Sequence, residues 1–209
     1  MTHREARVPG WPEYLAKLKE EGIWNKPELR EQAIADWRAL CAEQDAQDEA
    51  PVIADLKAAG IDVRSVWEMV NSRASFAEAL PIVLKHLGKP YPRGVREGLA
   101  RAMAEPAARF AWRELKAMYE REEDWQVKDA LAVALANSAG KEEYDDLVDL
   151  VRDRSHGSSR ALSMSALDRS KEPRALAEIK SLENDTEVRP TVLDILKKHS
   201  RRKRARDDG

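Results

Sequence analysis

Between Val95 and Leu196 the apolar and polar positions fall into a nine-residue figure that returns after 32, 32 and 29 residues. It reads VREGLARAM from Val95, VKDALAVAL from Val127, SRALSMSAL from Ser159 and VRPTVLDIL from Val188. The fifth and ninth places are apolar in every copy except for Ser163, and a cation (Arg96, Lys128, Arg160, Arg189) stands second. A four-residue step between apolar places draws one stripe along a helix. A helix that recurs at a near-constant interval, with room for another helix between copies, predicts stacked helix pairs.

Turn signals set the bounds of the remaining elements. Pro12 suits the first turn of a helix from Trp11 to Glu21, which Gly22 would stop. Pro27 opens a helix from Glu28 to about Gln44, with Leu29, Ala33, Ile34, Trp37 and Leu40 on its apolar side, and Pro51 opens a separate one ending at Gly60. Asp62 is placed to cap a short helix, 63–71. Beyond Ser75 the pattern predicts pairs at about 76–104, 107–137, 142–169 and 173–198, with Phe110, Leu115 and Met118 among the core residues of the second pair. The expectation is therefore an all-α chain with three parts: an irregular, tryptophan-rich helical cap over 1–74, a regular array over 75–199 and a charged, unstructured tail over 200–209.

Charge sharpens this picture. The net charge is only −2, but Lys197–Gly209 holds seven Lys/Arg and two Asp, leaving 29 cations against 36 anions in residues 1–196, about −7. An acidic body is poorly suited to gripping phosphates, so nucleic acid binding is expected to be weak and confined to the tail. No apolar run approaches the ~20 residues of a membrane span. The first residues lead into no apolar stretch of the secretory kind, and a lone Cys41 fits a reducing compartment; the expected location is cytoplasmic.

The strings Asp124-Trp125-Gln126-Val127-Lys128 and Asp185-Thr186-Glu187-Val188-Arg189 place an Asp three residues before the Val and a cation after it. Residues 75–199 on this basis resemble the HEAT-repeat family, in a short, degenerate form. The resemblance implies a right-handed α-solenoid of antiparallel helix pairs, with an Asp–cation ladder between successive second helices. Pro92 and His156 stand where two of the Asp residues belong, so the ladder is interrupted.

Several constellations carry candidate chemistry. The cation column is either a rung of that ladder or a strip that meets an acidic partner. Glu142, Asp145, Asp146, Asp149 and Asp153 fall at three- and four-residue steps opposite Tyr144, Leu147, Val148 and Val151, which makes either a solvated face or a docking face for a basic partner. Glu97 and Asp129 occupy equivalent places in successive copies, directly after Arg96 and Lys128, and belong to the same candidate surface. The loop Ser155–Arg160 combines small residues, hydroxyls and an arginine at a helix start; it reads as an anion site or as an ordinary cap on Ser158. The four histidines show no ligand spacing, and no nucleophile or nucleotide motif occurs, so no cofactor, metal or catalytic residue is expected.

Trp112, flanked by Arg109 and Arg113, and Trp125 look similar to the aromatic and cationic residues with which HEAT-like alkylpurine DNA glycosylases face DNA. Helical, packing-type contexts favour a place for both in the core or a seam. The sequence points first to a non-catalytic scaffold that binds a basic protein through its second helices, as an immunity or inhibitor protein would bind a cationic toxin. The alternative is a HEAT-like DNA-binding or glycosylase enzyme.

Overall fold

The computed structural model describes residues 7–207, with side chains through Arg202, and every regular element among them is helical. At the N-terminus α1 (Trp11–Glu20) lies beside α2 (Pro27–Ala58), followed by the short α3 (Val66–Asn71). Four pairs follow: α4 (Leu80–Leu87) with α5 (Arg93–Ala102), α6 (Trp112–Arg121) with α7 (Trp125–Ser138), α8 (Tyr144–Arg152) with α9 (Arg160–Arg169), and α10 (Ala175–Ser181) with α11 (Arg189–Asp207). The second helices touch in sequence, α3 to α5, α5 to α7, α7 to α9 and α9 to α11.

The nine-residue figure accounts for this packing. Leu99, Met103, Leu131, Leu135, Leu167 and Val192 are all buried in one core that runs from Val52 to Ile195, across the junction expected at residue 74. At Ser163 the missing apolar side chain leaves a buried hydroxyl without a hydrogen-bond partner in the protein. The approach of α3 to α5 depends on Gly98. A Cβ there would meet Trp67 Nε1 at 3.2 Å and Val66 Cγ1 at 3.3 Å, so a larger residue would require those side chains to shift by a few tenths of an ångström.

Several elements differ from the sequence expectation, each for a local reason. α2 is one helix of 32 residues that passes straight through Pro51. An interior proline deletes one backbone hydrogen bond and crowds the carbonyl four residues back, at a cost of about 3 kcal/mol that the packing around it must offset. Here Glu49, Val52 and Leu56 are buried, and the Glu49 carboxylate accepts from Val66 N at 2.7 Å, pinning this turn of α2 to the start of α3. Upstream of it Leu29 and Leu40 are half exposed, because the partner of that stretch is a small aromatic cluster: Trp11 lies 5.0 Å from Trp37, Trp24 meets Trp11 edge-on, and Tyr14 stacks on Trp37.

The cap of α3 is Ser65, which accepts from Trp67 N, in place of Asp62. Pro81 sits in the first turn of α4 after a 3-10 turn at Ala77–Ala79. A 3-10 turn at Pro106–Ala111 likewise precedes α6 and turns Phe110 outward to 59% exposure, while Leu115 behind it is fully buried. Finally, α11 continues to Asp207 through the segment expected to be unstructured. Lys198 and His199 both bind Asp168 of α9 at 2.6 Å, so the basic tail is attached to the body at its root.

Leu135→Ala is expected to cost about 2–5 kcal/mol by urea denaturation, as a fully buried large-to-small change, whereas Phe110→Ala should leave the midpoint almost unmoved.

Candidate binding surfaces

The acidic row assigned to one helix face is divided among three settings. Glu142 precedes α8 and Asp153 follows it, since the helix covers only Tyr144–Arg152. Asp153 turns back to accept from Ser155 N at 2.9 Å, and this hydrogen bond holds its carboxyl below the usual range. Asp145 pairs with Arg174 before α10, and Asp146 with Lys116 of α6 at 2.6 Å. Arg109 to Glu143 and Arg152 to Glu178 extend the same arrangement. The first helices are thus laced to one another by ion pairs, which engage Asp145 and Asp146 of that row. Among the described residues, Glu142 and Asp149 of this row have no ion pair.

Three members of the cation column bind neighbouring turns, whereas Arg189 is exposed and, among the described residues, has no ion pair. Arg96 on α5 reaches forward to the Glu122 carboxylate in the turn before α7, and Lys128 donates to the Glu122 carbonyl at 3.3 Å while lying over the Tyr119 ring. Arg160 is the strongest case. Its side chain is 0% exposed and donates to Gly157 O at 2.7 Å, Val151 O at 3.2 Å and the carboxylates of Asp185 and Glu187. Arg154 completes the partner set of Asp185. Gly157 makes the geometry possible: its φ of 61° is a left-handed backbone that few other residues adopt, and it turns the carbonyl toward Arg160.

The loop 155–160 therefore spends its arginine internally. Ser158 is exposed and does not cap α9; Ser159 is buried instead, between the Tyr119 hydroxyl at 2.7 Å and the His156 carbonyl at 2.8 Å. Where the expected Asp is present, at Asp124 and Asp185, it accepts backbone N–H groups at the start of α7 and ahead of α11.

Glu97 and Asp129 do come together on α5 and α7. Arg101 binds Glu97 at 2.9 Å and also faces Asp129, whose carboxyl is pushed up by burial and by Glu97 despite that cation. One arginine between two partly buried carboxylates leaves the patch negative. It continues into a cleft of about 470 Å³ between the exposed middle of α2 and the starts of α5 and α7. Asp45, Asp48, Glu97 and Asp124 line it, against Arg7 and Arg93. Arg7 already binds Asp48 at 3.2 Å. Desolvation, with Asp48 nearby, raises the Asp45 carboxyl, which is the signature of negative charge gathered in a partly enclosed space.

Trp125 stands between two residues of this cleft lining, Asp124 and Gln126, and is 69% exposed. A core or seam position was expected for it. Its place as the first residue of α7, ahead of the first buried turn, puts the ring outside. Trp112 does take the expected place: it is buried and donates to Leu135 O at 3.2 Å.

Two further constellations escape any reading of spacing. His86 is buried between Asp55, 31 residues away, and Tyr91, with Nε2 2.9 Å from the Asp55 carboxylate and Nδ1 2.7 Å from the Tyr91 hydroxyl. The His86 hydrogen bond, then Lys85, hold the Asp55 carboxyl below its usual range, and the trio clamps the turn after α4 against α2. Separately, the Tyr144 and Ser170 hydroxyls are buried with no hydrogen-bond partner in the protein, beside a cavity that both residues line. Among the described residues, no His, Cys, Asp and Glu side chains gather in a group able to hold a metal ion.

The Arg160–Asp185 pair yields a prediction. Hydrogen bonds from Arg160, then Arg154, hold the Asp185 carboxyl far below the ~3.9 of an unfolded chain. A depressed folded pKa contributes stability that is present above about pH 4 and drains away as acid is added. Asp185→Ala leaves the buried guanidinium with Glu187 and two carbonyls as its remaining acceptors and should cost about 1–3 kcal/mol at neutral pH. The deficit should shrink below about pH 4, as measured by thermal melting across pH.

Comparison of the chain with protein-family models, with curated proteins and with solved structures finds no match.

Proposed function

We propose that this chain is a non-catalytic binding scaffold, a short HEAT-like α-solenoid whose second-helix layer and adjoining cleft receive a basic segment of another protein. The observation that carries the reading is the cleft itself: four carboxylates around about 470 Å³, faced by Arg7 and Arg93, with the exposed Trp125 between two of its lining residues in sequence. The negative field would steer a cationic partner into register. Trp125 would then supply the kind of aromatic anchor on which interface energy concentrates. Arg7, bound to Asp48, illustrates what the cleft accepts, since a guanidinium already lies there.

An immunity or inhibitor role against a cationic toxin, within the cytoplasm, agrees with this chemistry. The α8 row, first grouped with the site, is the weaker candidate because Asp145 and Asp146 are engaged with Arg174 and Lys116. Trp112, committed to the core, offers no ring to a nucleobase. Any affinity for duplex DNA belongs to the cationic end of α11.

The test uses the full chain, a fluorescent arginine-rich peptide and a duplex DNA, read by stopped-flow and equilibrium anisotropy over a salt series. Asp45→Lys/Glu97→Lys should slow peptide association at least ~10-fold, and Trp125→Ala should speed dissociation ~10-fold or more. Asp145→Lys/Asp149→Lys should leave the on-rate nearly intact, and unchanged melting would show that the fold persists. Neutralising Arg201, Arg202, Lys203 and Arg204 to Gln should remove DNA binding. Tight DNA binding that survives this change, or indifference of the peptide to the cleft variants, would defeat the proposal.

A further inference from the structure

We infer that the cationic end of α11 docks in the acidic cleft of a second copy, so that the chain associates head to tail. The inference rests on the cleft's being a receptor for basic segments, and it names such a segment within the chain itself.

Both halves of the interface are present in one molecule. Within α2, residues 39–56 carry five carboxylates and no Lys or Arg. Asp45 is exposed and, among the described residues, has no ion pair, whereas Asp48 is engaged by Arg7. Across the cleft Glu97 and Asp129 share Arg101, so carboxylates remain in excess over Arg7 and Arg93. At the far end of the sequence Arg201, Arg202, Lys203, Arg204 and Arg206 occur with no carboxylate before Asp207. α11 stays helical through all of them. Lys198 and His199 fix it to Asp168 just upstream, and Arg201 and Arg202 are exposed. A charged helix held at its root loses less freedom on docking than a loose chain of equal charge.

Geometry forbids closure within one molecule. The second helices run in one direction, because starts meet starts and ends meet ends. Arg96 at the start of α5 binds Glu122 ahead of α7, and Arg160 at the start of α9 binds Asp185 ahead of α11. Arg169 at the end of α9 donates to Ala136 O at the end of α7, and Asp168 binds Lys198 late in α11. The cleft lies at the starts of α5 and α7, whereas the cationic turns leave from the end of α11. Two to three helix spacings of ~10 Å separate those elements laterally, and the helix from Arg201 to Asp207 spans only ~11 Å. The cleft it fills must belong to another molecule. Two different surfaces then meet, a heterologous contact, and assembly continues past two copies to a ring or an open row.

Sedimentation velocity of the full chain over rising concentration tests this, at low salt and at ~0.5 M, where the screening length falls below ~5 Å. The weight-average mass should climb beyond two copies at low salt and return to one at high salt. Two variants each remove one half of the contact: Asp45→Lys/Glu97→Lys in the cleft, and Arg201, Arg202, Lys203 and Arg204 changed to Gln in the tail. Each alone should melt as the native chain does and sediment as a single copy. Mixed in equal amounts they should form pairs and stop there, since the first keeps its cationic end and the second its cleft. The tail variant added to the native chain should cap growing ends and lower the mass, a result that needs no cleft variant. A chain that stays single at every concentration, variants that do not pair, or association that survives the tail change overturns the inference. The arginine-rich peptide separates this from the reading it rests on. Peptide binding at the cleft of a chain that stays single defeats self-docking alone, and a peptide indifferent to Asp45→Lys/Glu97→Lys defeats both.

Discussion

The burial of α7 on nearly every side is the constraint from which the remaining structure follows. Val127, Ala130, Leu131, Ala132, Ala134, Leu135 and Ala136 are all removed from water, leaving little of the helix free. A helix apolar over so much of its circumference must be flanked by others. α5 and α9 lie along its two sides and α6 covers it. The alanines let these neighbours approach, while Leu131 and Leu135 fill the space between layers. The array then extends outward by the same rule, each second helix supplying one face to the last and needing cover on the other.

Charge plays two distinct parts on this frame. Along the first helices it is spent laterally, in pairs such as Lys116–Asp146 and Arg109–Glu143 that join each unit to its neighbour. Exposed pairs of this kind contribute little individually, but they settle the sign of the surface by cancelling it. Between second helices it is spent internally, most fully at Arg160, where several acceptors replace the water that a buried guanidinium gives up. An excess of carboxylates collects at the cleft beside α2, and an excess of cations around the mouth of the Tyr144 cavity.

The periodic part of the fold was legible because burial repeats where the figure repeats: Met103, Leu135 and Leu167 hold the same place in three successive copies and all are buried. The irregular part was not, since no single residue states what lies opposite it. Pro51 reads locally as a helix start, and only Glu49 reaching Val66 N shows why the chain carries on through it. The α8 carboxylates look free in sequence because Lys116 and Arg174 lie about 30 residues away on other helices. Trp125 reads as core by residue type, whereas its position one residue inside the helix start decides otherwise. The cleft and the small cavity were the least legible, being made by residues from three elements each. Of the cleft, only Glu97 had been marked as a site residue.

α2 extends for about 48 Å at helical rise, with its C-terminal turns embedded in the core and its middle forming one wall of the acidic cleft. Pro51 stands between these two stretches, and its missing amide deletes the rung to the carbonyl of Gln47. Glu49, buried and bound to Val66 N on the N-terminal side of that gap, ties the wall to the helix stack independently of the missing rung. Asp45 and Asp48 thus face Glu97 across the cleft from a stretch fixed within about one turn of its anchor. A guest of the kind proposed would meet two walls set in place before it arrives, with Glu49 serving as the peg that holds one to the other's foundation.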